Sequence, residues 1–175
     1  MVVLKVVLPL ITFLGAFKQI SCASFIWYHY MTSQPLHQDH VIFHYFKVED
    51  EGISMFEKLY NGSQCYTDDK YSMKVVDGEP NFTLEKSMNN CKQLRIVILH
   101  NETNEEPYKI DNVTVLNTFN PTSNECISAS GSFHVVLTQT RNPSEEDQQK
   151  ISDGLKNLGI HGLKLTDLSV CPDPI

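Results

Sequence analysis

From residue 40 onward the chain alternates apolar and polar residues in short stretches, separated by clusters of Asn, Gly, Pro and Asp. Alternation of period two puts one row of side chains on each face of a strand, and the clusters supply turns. The pattern predicts strands at 40–49, 65–76, 81–87, 92–100, 108–119, 125–130 and 132–141, the fifth of them long enough for two ladders. Turns are expected at Asp77-Gly78, Asn89-Asn90, Asn120-Pro121 and Ser130-Gly131, and "ISMFEKLYNGSQ" (53–64) reads as a loop or a short helix.

Charges and Asn-x-Ser/Thr sequons set the phase of these strands, because both favour solvent. Arg95 turned outward leaves Leu94, Ile96 and Ile98 inward, and Lys70 and Lys74 oppose Tyr71, Met73 and Val75. Asn81 and Asn112, each heading a sequon, leave Phe82 and Leu84, and Val113 and Val115, on the inner row. A sheet of about eight strands with an apolar inner face must cover it, either by stacking as a sandwich or by closing into a barrel. Alternation alone leaves both open.

The C-terminal segment follows a different period. Pro143 ends the last strand, Ser144 stands where a helix cap belongs, and Asp147 lies at the capping-box position. Glu145 and Glu146 suit the positive end of the helix dipole. Ile151, Leu155 and Leu158 recur at i, i+4 and i+7 as one apolar stripe, and Gly159 stops the helix. Leu163 and Leu165 then alternate as a short strand before Cys171.

The first residues carry Lys5, an apolar run from Val6 to Phe17, and the small residues Ser21 and Ala23. This reads as a secretory signal over 1–23, followed by one domain over 24–175; the run is shorter than the roughly 20 apolar residues a membrane span needs. Removal of the signal takes Cys22 with it and leaves Cys65, Cys91, Cys126 and Cys171, an even set that suits two disulfides in an oxidising compartment. Sequons at Asn61, Asn81, Asn101 and Asn112 agree with export and make N-glycosylation there an expectation; Pro143 disqualifies Asn142. A formal charge of −7 with no basic cluster argues against nucleic acid and anionic membrane surfaces as partners.

"LKNLGI" and "LKLTDLSVCP" together resemble the tail of lipocalins, and Cys65 falls where many lipocalins hold the partner of the terminal cysteine. "NVTVLNTFNPTSNECISASGSFHVVLTQTRNP" and "FEKLYNGSQCYTDDKYSM" are similar to segments of tick salivary lipocalins, the group with histamine-binding and Japanin-like members. The G-x-W signature common in the family is missing from 40–49, and Trp27 lies upstream. The resemblance implies an all-β fold: an eight-stranded antiparallel up-and-down barrel with one C-terminal helix packed outside. It also implies bridges Cys65–Cys171 and Cys91–Cys126, each worth on the order of 4 kcal/mol by the chain-entropy estimate.

No G-x-S-x-G elbow, H-E-x-x-H, phosphate-binding glycine loop or C-x-x-C pair is present, so no enzymatic activity and no cofactor is expected. "HQDHVIFH" gathers His37, Asp39, His40 and His44, but His40 and His44 on one strand face lie roughly 13 Å apart, too far to share a zinc ion, and no metal site is expected. An apolar barrel without catalytic groups suits a small ligand. The expected wall is Phe43, Tyr45, Tyr71, Met73, Phe82, Leu84, Ile96, Ile98, Val113, Val115, Phe133, Val135 and Leu137.

A sterol, fatty acid or lipid mediator would need only this wall and one hydroxyl, from Tyr45 or Tyr71. A biogenic amine such as histamine or serotonin would need buried carboxylates. Only Asp69 and Asp111 share phase with the inner rows, both near strand ends open to solvent, which favours the lipid. In a different class of function, the barrel is a scaffold whose loops, such as "QPLHQDH", "EDEGISMFEKLYNG" and "NETNEEPY", bind a host protein. The Japanin-like resemblance implies an immune-cell surface partner and a modulator of host responses. A monomer is expected.

Overall fold

In the computed structural model, residues 24–34, 40–49, 52–68, 71–75, 81–86, 91–100, 107–120 and 122–173 are described. The strands are β1 (Ser24–Thr32), β2 (His40–Glu49), β3 (Gly52–Tyr60), β4 (Cys65–Thr67), β5 (Tyr71–Val75), β6 (Asn81–Lys86), β7 (Cys91–His100), β8 (Tyr108–Asn120) and β9 (Glu125–Thr138). Helix α1 (Glu145–Asn157), strand β10 (Lys164–Leu165) and a 3-10 turn (Leu168–Val170) follow. The signal segment 1–23 lies outside the described residues.

Eight strands pair antiparallel in the order β1-β2-β3-β5-β6-β7-β8-β9, and β1 pairs again with β9, from Tyr28 opposite Thr138 to Thr32 opposite Val135. That second pairing closes the ring. The sheet is therefore a barrel and not a sandwich, with β4 appended to β3 and β10 appended to β1.

Several elements differ from the sequence reading. β1 is a full barrel strand where none was expected, and 53–60 forms β3 instead of a loop or helix. The stretch 65–76 divides into β4 and β5. Residues 125–138 run as one strand; the expected turn at Ser130-Gly131 is an irregularity, with Gly131 at φ 155° where the β8–β9 register shifts between Val115 and Asn117. One extra residue on β9 is absorbed there as a bulge, which bends a strand without ending it.

The inner face is built on Phe46, Met55, Tyr71, Ile96, Val113, Val135 and Leu137, with Phe25, Trp27, Ile53, Met73, Leu94, Ile98 and Phe133 packed against them. Phe25 and Phe46 stack at 4.8 Å. Phe43 and Tyr45 do not belong to this wall. They stand on the outer face of β2, where Tyr28, Ile42, Phe43, Leu168 and Cys171 form a separate cluster and Tyr45 packs at its margin beside Phe56. β2 is apolar on both rows because the C-terminal tail covers its outside, so alternation could not reveal its phase; the inner row carries His44 and Phe46.

α1 packs outside the barrel over β8, with Tyr108, Ile110, Val136, Ile151, Leu155 and Ile160 as the contact. Gly154 permits this approach, since a Cβ there would lie 3.2 Å from Ile110 Cδ1. Leu158, the expected third residue of the stripe, is 40% exposed, because the helix ends there and the chain turns away. Gly159 adopts φ +67°, its N–H donates to the Lys156 carbonyl, and the Ile160 N–H donates to the Leu155 carbonyl. This is a Schellman ending, sealed by the apolar pair Leu155 and Ile160.

At the other end the Asp147 N–H donates to Ser144 Oγ (3.1 Å), and the Ser144 hydroxyl donates to Asp147 Oδ2 (2.6 Å). Asp147 thus returns its bond to the cap hydroxyl. Ser144→Ala should lower unfolding free energy by about 1 kcal/mol in urea titration; no change would mean that solvent replaces the cap fully.

The tail is bonded to the barrel. Cys65 on β4 pairs with Cys171, and Cys91 at the start of β7 pairs with Cys126 on β9. Arg141 adds a latch: its guanidinium donates to the Leu168 carbonyl, to the Cys171 carbonyl (2.6 Å) and to Asp173 Oδ1 (2.7 Å), and lies over the Tyr28 ring. Among the described residues no helix is long and apolar enough to cross a membrane.

Candidate ligand site

The inner rows do not meet everywhere. A cavity of about 30 Å³ remains, lined by Leu94, Ile96, Val113, Phe133, Val135 and Leu137 together with Asp111 on β7 to β9, and by His29, His44 and Glu57 on β1 to β3, with Gln34 and Val41. A water needs about 10–15 Å³ by this kind of measure, so the space holds roughly two.

Three adjacent strands supply one polar row. His44 faces Glu57 directly across β2 and β3, and His29 on β1 lies diagonal to His44. Nε2 of His44 is 3.1 Å from Nε2 of His29 and 3.2 Å from Glu57 Oε1. Both imidazoles are buried, at 5% and 6% exposure. Burial, then the neighbouring His44 and Lys109, holds His29 well below the ordinary imidazole range. Burial, then Lys109, pushes His44 down to about 3. The rings are therefore neutral near pH 7, and the contact with Glu57 is a hydrogen bond and not an ion pair. Nε2 of His44 thus sits between the His29 ring nitrogen and the Glu57 carboxyl oxygen.

A second pair sits on β8. Asp111 is 1% exposed, and Lys109 Nζ lies 3.1 Å from its Oδ2 and 5.4 Å from the centre of the Trp27 ring. Neither Asp111 oxygen accepts a well-aligned hydrogen bond among the described residues, and the Lys109 ammonium is the charge set against it. Burial raises the Asp111 carboxyl, with Lys109 opposing. Tyr71 donates to Asp68 Oδ2 (2.9 Å), and burial together with Glu57 and Asp68 keeps its hydroxyl protonated.

Of the expected wall residues, Ile96, Val113, Phe133, Val135 and Leu137 line the cavity. Tyr71, Met73 and Ile98 share the inner face without lining it. Val115 is half-buried, in register with Leu94 and Gly131. The backbone sets Phe82 opposite Ile96 and Leu84 opposite Leu94, and their side chains lie outside the described residues. Asp111, expected within reach of solvent, is fully enclosed, and Asp69 lies outside the described residues. The sequence pattern does not point to His29, His44 and Glu57: His29 and Glu57 lie in segments without a strand pattern, and placing Phe43 and Tyr45 on the inner row puts His44 on the outer one.

Asn61 sits in a tight turn, its Oδ1 accepting from Ser63 N–H, Ser63 Oγ and Gln64 N–H, while Asn112 is a half-buried residue of β8. The Asn81 side chain and all of Asn101 lie outside the described residues, as do His37 and Asp39. His40 packs against the Tyr60 ring, and no metal-binding cluster exists among the described residues.

Neither a family model nor a curated protein matches the sequence. Solved structures are similar. Insecticyanin from the tobacco hornworm Manduca sexta superposes with a TM-score of 0.54 at 11% identity, covering 83% of this chain and 74% of its own. A deswapped triple mutant of bovine odorant-binding protein gives 0.51 at 12% identity, with coverage of 86% and 98%. Apocrustacyanin C1 gives 0.51 at 13% identity, with coverage of 79% and 72%. At such identities the likeness is one of fold, and the chain has the lipocalin fold, an eight-stranded antiparallel barrel with one helix outside it.

Proposed function

We propose that the protein is a secreted carrier that takes one small, largely apolar molecule into the barrel and orients it by a hydrogen-bond-donating group. The observation that carries this reading is the pairing of an apolar wall with two enclosed carboxylates, Glu57 and Asp111, on one cavity. A ligand anion, such as the head of a fatty acid, would meet the Glu57 and Asp111 acceptors and could pair only with Lys109, which Asp111 already engages; a hydroxyl or ammonium would meet partners. The name of the bovine neighbour, an odorant-binding protein, fits the same kind of task.

Between a sterol and an amine, the enclosed carboxylates favour the amine, reversing the preference drawn from the strand pattern. Volume points the same way. Ligand pockets commonly measure about 300–1,000 Å³, so a sterol would have to part the wall far more than a compact amine. Together with the resemblance to tick salivary lipocalins, this supports removal of a small mediator from host tissue.

Native mass spectrometry and calorimetry with histamine, serotonin, cholesterol and a long-chain fatty acid test the reading. An amine should bind, and Glu57→Gln and Asp111→Asn should each weaken it at least tenfold, about 1.4 kcal/mol. Cholesterol binding that ignores both substitutions would move the assignment to lipids. Uptake of none of the four would remove the carrier reading and leave the scaffold role, with loops contacting a host protein.

A further inference from the structure

The geometry points to Lys109 as a covalent anchor for aldehydes, held in the barrel beside a carboxylate that relays protons. The proposal does not depend on the amine reading above. Lys109 faces inward on β8 opposite Leu137, its side chain 11% exposed. A charged lysine inside an apolar wall is a poor device for stability, since a well-packed apolar side chain often serves as well or better. It is a good device for nucleophilic chemistry, because a desolvated lysine next to a group that can take its proton is the usual form of an imine-forming amine.

Asp111 Oδ2, 3.1 Å from Nζ, is that group, and both Asp111 oxygens lack well-aligned partners that would compete for the proton. The step balances. The ammonium gives a proton to Asp111, the neutral Nζ adds to the carbonyl carbon, and the oxygen takes that proton back from Asp111. Asp111 then removes a second proton from nitrogen and returns it to the hydroxyl; the C–O bond breaks, water leaves, and the nitrogen lone pair closes C=N. One positive charge and one carboxylate stand at the start and at the end, with no oxidant or reductant.

The protonated imine would keep Asp111 as counter-ion and the Trp27 face, 5.4 Å from Nζ, as a second stabiliser. Leu137, Val113 and Phe133 are placed to take an uncharged alkyl or aryl tail. The class of ligand is therefore a neutral aldehyde with an apolar body.

Nonanal at one equivalent, followed by sodium cyanoborohydride to fix imines as secondary amines, tests this on the whole protein by intact mass and peptide mapping. Lys109 should be modified at least tenfold faster than any other lysine, and Asp111→Asn should slow it at least tenfold. Lys109→Arg should leave only the slow surface background. If Lys109 reacts no faster than the other lysines, or equally fast in Asp111→Asn, the anchor is overturned. Should Lys109→Arg fail to fold, the ratio of rates among lysines in the wild-type protein decides alone.

Discussion

Acidification from pH 6.5 to 4.5 should remove on the order of 5 kcal/mol of stability, well before most carboxylates protonate. His29 and His44 are buried and neutral in the fold, with His44 pushed down to about 3, whereas an unfolded imidazole titrates near 6.5. The unfolded chain thus binds more protons in this window. Stability is full above pH 6.5 and falls as pH drops toward the folded-state values, by about 1.4 kcal/mol per pH unit for each imidazole. Asp111 works in the opposite sense: burial raises its carboxyl, so the fold takes up that proton above the ordinary value near 4 and the gain offsets part of the histidine loss. Urea midpoints at pH 7 and pH 4.5 measure the loss. His44→Gln should remove roughly half of the difference; equal midpoints at the two pH values would show that the histidines are not enclosed as described.

Replacing Cys65 and Cys171 together by serine should destabilise the protein by about 4 to 5 kcal/mol, the chain-entropy value for a loop of this length. Domains commonly hold only about 5–15 kcal/mol in all, so the variant would be marginal. The Arg141 latch to Leu168, Cys171 and Asp173 remains in it, which makes the comparison informative. A fall below about 1 kcal/mol in urea titration would mean that the latch, and not the bond, holds the tail.

What the sequence disclosed follows from where solvent lies. β7 and the second half of β9 show a clean inner row because their outer faces meet water or a single helix, so Ile96, Ile98, Phe133, Val135 and Leu137 were readable. α1 was legible from Ser144, the acidic first turn and Gly159, since caps act locally. β1 was not, and β2 was legible as a strand but not in its phase, because the tail buries their outer rows: Tyr28, Ile42 and Phe43 are as enclosed as the true wall. β3 hid for the opposite reason. Its inner row runs Ile53, Met55, Glu57, and a carboxylate turned inward breaks the alternation that marks a strand. Trp27, judged displaced from its signature, lies on the first barrel strand once β1 is recognised. The polar side of the cavity was the least legible part, because nothing in a one-dimensional pattern distinguishes a buried histidine from a solvated one.

The two disulfides are nested, Cys91–Cys126 lying wholly within the span of Cys65–Cys171, with separations of 35 and 106 residues. Encounter of chain ends slows with length, so the inner pair should meet about fivefold sooner in a reduced, unstructured chain. Once made, it shortens the path the outer cysteines must span. Oxidative assembly therefore has a natural order, far wall first and tail last, and an oxidant added before the β7 to β9 hairpins gather would trap shuffled isomers instead of the native pair.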